Sequence, residues 1–241
     1  MTYCVGLRLD AGIVMLSDTR TNAGMDNIAT FRKMFVFEQP GERVIAMMTS
    51  GNLSVTQTVL AKLKHEIDKA DATPATSIMQ AETLLDAAEI VGKTLFDVAI
   101  AVRARMRQMD QSANASIMLG GQRKGGEMRL FHIYREGNFI EATEDTPFLQ
   151  IGEFKYGKPI LDRVARPSSS LAEGRKVALL SMDSTMRSNL SVGMPLDLLI
   201  IPKDACRAGV RERIEPGDKA FSAMSEAWSQ ALRDGFAGMP D

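Results

Sequence analysis

The residues best suited to chemistry stand at the beginning of this sequence. Met1 is followed by Thr2, and two short apolar stretches come next, joined by a turn at 10–12. This pattern predicts a hairpin that returns the chain toward its start and places Asp18 beside Thr2. If Met1 is removed, Thr2 carries both a hydroxyl and an α-amine whose unperturbed pKa is about 7.7 to 8.0. Because a threonine hydroxyl needs a neighbouring base at neutral pH, one residue would then supply nucleophile and base together.

Length and composition limit the class of protein. The 241 residues are enough for a sizeable core, and no linker-like stretch divides them, so we expect a single domain over 1–241. The 29 basic and 30 acidic residues leave a net charge of −1, which gives no reason to expect a nucleic-acid partner. No apolar run reaches the length of a membrane span and no signal peptide is visible, so we expect a cytoplasmic protein with no membrane partner.

Cysteine and histidine are scarce. Cys4 and Cys206 lack the paired spacing of metal ligands, and two thiols in a chain of this length suit a reducing compartment, so we expect both to be buried and unpaired. His65 and His132 stand in unrelated contexts, which makes a His-based metal site or a Ser-His-Asp triad hard to build. We therefore expect no cofactor, and we assign no metal.

Hydrophobic periodicity predicts the order of the elements. In the first half it predicts, after the hairpin, strands at 33–37 and 43–49, a helix from 52 that ends before 71, and a helical region at 77–109. Ser77 and Gln80 have the spacing of a capping box at the start of that region, and Gly92 marks a possible bend. In the second half it predicts strands at 115–122, 128–134 and 139–142, helices at 153–165 and 170–189, a strand at 196–201, and a helix at 220–232. Segregated runs of antiparallel strands and helices predict an α+β fold with two facing sheets and helices outside.

Several motifs resemble those of a known family. The matching residues are Thr2, the box Ser17-Asp18-Thr19-Arg20 with Gly24, Lys33, and Thr49-Ser50-Gly51. They look like the N-terminal half of proteasome-type β-subunits, which are N-terminal-nucleophile hydrolases. The stretches 152–163 and 182–191 look closest to Anbu, a bacterial branch that is the proposed ancestral β-subunit and is related to HslV. The resemblance covers most of the chain and implies a four-layer αββα sandwich of two antiparallel sheets.

The resemblance implies a catalytic role for four residues. Thr2 would be the nucleophile, with its freed amine taking part in proton transfer. Lys33 would lie next to the Thr2 hydroxyl, and Asp18 would accept a hydrogen bond from Lys33 and hold it. The backbone N–H of Gly51 would form the oxyanion hole, at the N-terminus of the following helix.

The same resemblance implies supporting and substrate-binding residues. Arg20 would support the end of its strand. Thr21 and Asn22 would line a peptide cleft, where their backbone would pair with an extended substrate as an added strand.

The sequence also departs from the family pattern. True proteasome subunits carry a Ser after a Gly where this chain has Glu153, so a carboxylate is expected in place of the supporting hydroxyl. Asp183 matches a family acid, but Met186 stands where a Ser is expected. Ser188 or Ser191 is the candidate for that missing role.

Three functions are compatible with these residues. The first is a threonine-type peptidase that acts on peptides or unfolded proteins through an acyl-enzyme. The second is an amidase of the same fold that acts on small non-peptide amides, and the third is a non-catalytic oligomeric scaffold in which Met1 is retained. The resemblance implies self-association into a ring or an open spiral, while the cleavage preference and any unfoldase partner stay open.

Overall fold

The secondary structure follows the predicted order, with additional strands. The computed structural model describes residues 1–22, 28–106 and 114–240. In these ranges the strands are β1 (Tyr3–Leu9), β2 (Gly12–Asp18), β3 (Arg20–Asn22), β4 (Ile28–Thr30), β5 (Met34–Gln39), β6 (Arg43–Gly51), β7 (Ala115–Arg123), β8 (Arg129–Ile133), β9 (Phe139–Glu141), β10 (Phe148–Gly152), β11 (Leu196–Pro202) and β12 (Val210–Ile214). The helices are α1 (Leu53–Asp68), α2 (Leu84–Met106), α3 (Lys158–Val164), α4 (Leu171–Ser188) and α5 (Lys219–Ala237).

The first hairpin forms where the sequence predicts it. β1 and β2 pair antiparallel, and the register places Leu9 opposite Gly12. Gly12 has a φ of +149°, and a Cβ atom there would lie 2.3 Å from the carbonyl oxygen of Ile201, so the close approach to β11 requires glycine. The hairpin thereby places Asp18, the last residue of β2, beside the start of β1.

Two five-stranded antiparallel sheets form the centre of the molecule. The first has the strand order β10-β1-β2-β11-β12, and the second has the order β5-β6-β7-β8-β9. β3 and β4 pair with each other in a separate two-stranded ribbon. The helices lie outside, with α1 and α2 packed on the second sheet and α3, α4 and α5 on the first.

The two sheets pack face to face across an apolar layer. Fully buried methionines contribute much of it, among them Met15, Met48 and Met118, together with Ile13 and Leu130. Methionine is flexible and fills irregular gaps between sheets, which accounts for part of the high methionine content. The predicted four-layer αββα sandwich is confirmed. None of the helices within the described ranges combines the length and apolar composition that crossing a membrane requires.

Four short strands were not predicted from the sequence. β3 and β4 have three residues each, and β10 has five, so their hydrophobic pattern is too short to be recognised. β12 reads Val-Arg-Glu-Arg-Ile and lies at the edge of the first sheet, where its charged side chains face solvent and form ion pairs. Edge strands carry such charges because they discourage pairing with another chain, and this removes the apolar signal.

Two helix starts differ from the prediction. α2 begins at Leu84 rather than at Ser77, because its capping box is formed by Thr83 and Asp86 and not by the predicted pair. Gly92 does not interrupt this helix, and a Cβ atom at this position would lie 2.2 Å from the carbonyl oxygen of Gly137, so glycine permits a close contact with the turn before β9. The predicted last residues of this helix, 107–109, lie outside the described residues.

The third helix was predicted to begin at Glu153, but it begins at Lys158. Gly152 has a φ of +86°, which is not a helical conformation, and residues 153–157 form a turn instead. This turn lies against the N-terminus of the chain, because the Glu153 N–H donates to the carbonyl oxygen of Thr2 at 2.7 Å.

Both cysteines are buried and unpaired, as predicted. Burial raises the pKa of the Cys4 thiol far above its usual range, since no water is available to solvate a thiolate. Cys4 is therefore a small apolar core residue.

The α2 capping box can be tested by substitution. We expect Thr83→Ala to lower the free energy of unfolding by about 1 kcal/mol, because the first turn loses its side-chain acceptor. Thr58→Ala is the matched control, since Thr58 is an exposed residue inside α1 whose hydroxyl only donates back to the carbonyl of Ser54. Urea unfolding followed by circular dichroism measures both variants, and an equal loss in the two would contradict the capping role of Thr83.

Candidate active site

Thr2 is fixed by the backbone on the side of β10. Its carbonyl oxygen accepts the Glu153 N–H at 2.7 Å, immediately beyond the pairing of Tyr3 with Gly152. A Cβ atom on Gly152 would lie 2.0 Å from the same carbonyl oxygen, so only glycine permits this approach. The residue after Met1 is thus held in one position rather than left as a free chain end.

A buried ion pair lies next to the start of β1. Lys33 Nζ donates to Asp18 Oδ1 at 2.7 Å and to the carbonyl oxygen of Arg20 at 2.7 Å. The side chain of Asp18 is fully buried and that of Lys33 is 5% exposed. Asp18 also accepts the N–H of Tyr3 at 3.1 Å and that of Gly193 at 3.4 Å. The carboxylate therefore joins four segments of the chain at one point.

Burial and charge act in opposite directions on this pair. Burial raises the pKa of the Asp18 carboxyl, and the Lys33 ammonium and the two backbone N–H donors oppose that rise. A buried carboxylate with three donors, one of them a cation, has the partners that it needs. The arrangement can hold an ammonium group at the edge of a cavity with its orientation fixed.

The N-terminal amine lies in the same electrostatic environment. Burial lowers the pKa of the Met1 amine, and the Lys33 ammonium lowers it further, while Asp18 and Glu153 raise it. A lowered pKa increases the fraction of amine that is neutral near pH 7, and only the neutral form can accept a proton.

Gly51 ends β6 in a conformation that few other residues adopt. Its φ is +100°, and a Cβ atom would lie 2.3 Å from the carbonyl oxygen of Asn114. Asn52 follows as the N-cap of α1, and its side-chain oxygen accepts the Val55 N–H at 3.2 Å. The backbone here is positioned beside the positive end of the α1 dipole, which favours negative charge.

These residues share one open cavity of about 320 Å³. Its lining consists of Met1, Thr2, Thr21, Lys33, Thr49, Ser50, Gly51, Leu53, Thr56, Gly152 and Glu153. The structure thus brings the predicted nucleophile, lysine and glycine to one cavity, with Asp18 directly behind the lysine. Among the residues that the structure describes, no group of three or more His, Cys, Asp and Glu side chains could hold a metal ion.

The predicted substrate-binding residues lie on the β3–β4 ribbon. Thr21 lines the cavity, and Asn22 pairs with Ile28 in the ribbon. Arg20 donates to the carbonyl oxygen of Leu190 at 2.8 Å, so it supports the end of its strand through the loop after α4. Gly24, which was part of the family motif, lies outside the described residues.

Two predicted supporting residues lie away from the cavity. Asp183 accepts the hydroxyl of Ser225 at 2.8 Å and the Nε–H of Arg187 at 3.2 Å, so it connects α4 with α5. Ser188 is exposed at the end of α4. Neither side chain is part of the cavity lining among the described residues.

Sequence reasoning missed two residues that hold the surroundings of the cavity in place. Asn189 is buried, and its Nδ2 donates to Glu153 Oε2 at 3.2 Å. The Tyr3 hydroxyl contacts Ser181 Oγ at 2.5 Å and accepts a hydrogen bond from Gln150 at 2.7 Å, which anchors β1 to α4 and β10. The polar residues Ser188, Asn189 and Ser191 were a signal, but only the fold shows that Asn189 is the buried one.

The fold and the cavity define the class of the protein as a proteasome-type N-terminal-nucleophile hydrolase. A family model described as a proteasome subunit matches residues 2–201. No curated protein sequence matches the chain.

Solved structures of Anbu proteins are similar over nearly the whole chain. Anbu from Hyphomicrobium sp. strain MC1 has 46% identity and a TM-score of 0.88, with 99% of this chain and 98% of that chain covered. Anbu from Yersinia bercovieri has 44% identity and a TM-score of 0.91, with 99% and 97% covered. A structure described as the helical assembly of the Anbu complex from Pseudomonas aeruginosa has 43% identity and a TM-score of 0.92, with 99% and 97% covered. The chain belongs to the Anbu group of the proteasome subunit family.

The buried ion pair makes a testable contribution to stability. We expect Asp18→Ala to lower the free energy of unfolding by about 3 to 5 kcal/mol, because it leaves the Lys33 ammonium buried without a counter-charge. Asp162→Ala is the matched control, since its ion pair with Lys158 is about half exposed and should cost less than about 1 kcal/mol. Chemical denaturation measures both, and a small loss in Asp18→Ala would show that the pair is not held as described.

Proposed function

We propose that the chain is a threonine-type peptidase whose nucleophile, Thr2, is freed by removal of Met1. The observation that supports this most strongly is the position of Lys33. Its ammonium is held by Asp18 and by the carbonyl oxygen of Arg20, at the wall of the cavity that Thr2 and Gly51 also line. A fixed cation beside a hydroxyl nucleophile is an arrangement that favours the alkoxide.

The proposed reaction proceeds through an acyl-enzyme. Thr2 Oγ attacks the substrate carbonyl, and its proton passes to the Thr2 α-amine. The C–N bond of the substrate then breaks, the leaving amine takes that proton, and the acyl group stays on Thr2 as an ester. Water attacks the ester in the second half of the cycle, so the acid is released and the hydroxyl is restored.

Gly51 is proposed to stabilise the negative charge that develops on the substrate carbonyl. Its backbone lies in the cavity at the N-terminus of α1, where the helix dipole adds to the effect of an N–H donor. The glycine leaves room for the carbonyl to approach. Removing one such donor typically costs about a hundredfold to a thousandfold in kcat.

The β3–β4 ribbon is proposed to bind the substrate backbone. Thr21 lies in the cavity wall, and the backbone of Thr21 and Asn22 would pair with an extended peptide as an added strand. This geometry favours peptides and unfolded proteins over small amides, because an amide without a backbone makes no use of the ribbon. If only small amides are hydrolysed in a substrate screen, the chain is instead an amidase of the same fold.

Self-association is part of the proposal. The similar structure from Pseudomonas aeruginosa is described as a helical assembly, and this chain is 43% identical to it over 99% of its own length. We therefore expect a homo-oligomer, either a ring or an open spiral, that encloses the cavities of several copies. Light scattering and electron microscopy distinguish the two assemblies from a monomer.

The state of the N-terminus is the first prediction to test. Intact mass spectrometry should show loss of the Met1 mass and one adduct with an electrophile that captures N-terminal threonines. We expect Thr2→Ser to keep the adduct, and Thr2→Ala and Lys33→Ala to lose it together with peptide turnover. Lys69→Ala is the control, because its ion pair with Glu66 is on the surface. Retained Met1 and no adduct in the wild type would favour the scaffold function, since a blocked amine cannot act as the base.

A glycine pair tests the oxyanion role separately from backbone strain. Gly51 and Gly41 both have φ near +90°, at +100° and +81°, but a Cβ atom meets the Asn114 carbonyl only at Gly51 and open space at Gly41. We expect Gly51→Ala to reduce kcat at least about a hundredfold, because alanine keeps the N–H but its Cβ atom must move away from the Asn114 carbonyl and so displaces that donor. We expect Gly41→Ala to lower stability by about 1 kcal/mol without changing kcat. Equal activity in the two variants would show that catalysis does not depend on the exact position of the Gly51 N–H.

A further inference from the structure

We infer that Glu153 is a positioning residue, held by Asn189, that binds and orients the α-amine of Thr2 once Met1 is gone. The inference rests on the proposed function, because it concerns the base of that reaction. It assigns a purpose to the carboxylate that stands where true proteasome subunits have a hydroxyl.

The backbone already holds Glu153 against Thr2. The Glu153 N–H donates to the Thr2 carbonyl oxygen at 2.7 Å, and Gly152 packs on the same oxygen so closely that no side chain fits. The nitrogen and the carbonyl oxygen of Thr2 belong to the same residue, so a side chain anchored at one is within reach of the other. Glu153 also lines the cavity that contains Thr2.

Asn189 fixes the direction of the Glu153 side chain. Its own N–H donates to the carbonyl oxygen of Thr185 at 2.9 Å, and its Oδ1 accepts the N–H of Ser191 at 3.0 Å. Since Oδ1 is occupied as an acceptor, Nδ2 is the atom that faces Glu153 Oε2 at 3.2 Å. Nδ2 also lies 4.0 Å from the sulfur of Met1, so the carboxylate is held on the side where Met1 leaves the cavity.

The charges around the amine are few and oppose one another. Lys33 lies on the cavity wall with Asp18 behind it, and Glu153 is the other charged side chain in the lining formed by the described residues. With Met1 present, burial and Lys33 lower the pKa of the Met1 amine, and Asp18 and Glu153 raise it. Within the described part of the chain, the side-chain partner of Glu153 is the neutral amide of Asn189, so its charge is not already compensated by a cation.

This balance serves the proposed reaction. An amine next to Lys33 alone would have a lowered pKa but no acceptor to orient it. When a neutral amine donates one N–H to Glu153, its lone pair is left for the proton of the Thr2 hydroxyl. When the amine has taken that proton, the same carboxylate stabilises the ammonium until the leaving group accepts it.

The test measures the amine and the hydroxyl separately. The full chain is treated with methionine aminopeptidase, and the α-amine is then titrated by acetic anhydride labelling and mass spectrometry across pH. The hydroxyl is titrated in parallel by the rate of electrophile capture. We expect Glu153→Gln to move both midpoints to lower pH by about 1 unit, the effect of one nearby opposite charge. Asn189→Ala should move them in the same direction by less, since the Glu153 carboxylate remains but loses the donor that holds it.

An exposed glutamate away from the cavity provides the control. Glu144→Gln removes an exposed carboxylate outside the cavity and should leave both midpoints in place. If the pH profile of adduct formation is the same in the wild type and in Glu153→Gln, or if adduct formation slows equally at every pH, this inference would be overturned. The peptidase proposal would then still stand. If the titration midpoint of the amine depends on Glu153 but the Thr2 hydroxyl never reacts, the peptidase proposal would be overturned. The contact between the amine and the carboxylate would then still stand.

Discussion

The contact between Asp18 and Lys33 is the interaction on which the rest of the site depends. Two opposite charges at 2.7 Å, nearly removed from water, are stable only where further donors and acceptors complete their shells. Those partners come from β1, from the start of β3 and from the loop before β11. The ion pair therefore forms only when the segments that carry these partners lie together. Once formed, it holds those segments in place.

Close backbone contacts set the shape of the cavity around that pair. Gly152 lets β10 approach the carbonyl of Thr2, and Gly51 lets the end of β6 approach the segment before β7. Both have positive φ angles, so a side chain would be strained as well as too large. The site thus consists of strand ends brought together by glycines. Asp18 ends β2, Lys33 directly precedes β5, and Glu153 directly follows β10.

The cavity lining formed by the described residues carries one positive side chain, Lys33, and one negative side chain, Glu153. They act in opposite directions on the pKa of the Met1 amine, and burial strengthens both effects because water screens them less. Asp183, which resembles a family acid, instead joins α4 to α5 through Ser225. A residue that matches a motif by position can thus have a purely structural contact in this chain.

The sequence by itself determined the first hairpin, the sandwich of two sheets and the candidate residues Thr2, Asp18, Lys33 and Gly51. The hairpin and the two sheets follow from local hydrophobic periodicity, and the candidate residues follow from motifs that resemble those of proteasome-type β-subunits. Only the tertiary structure decided the contacts of Glu153, because its partner Asn189 is 36 residues away. The tertiary structure also decided that Asp183 of α4 lies outside the lining described for the cavity. It further decided that β10 pairs with β1 and that β12 pairs with β11. Long-range pairing depends on the relative position of whole layers, and no local pattern carries that information.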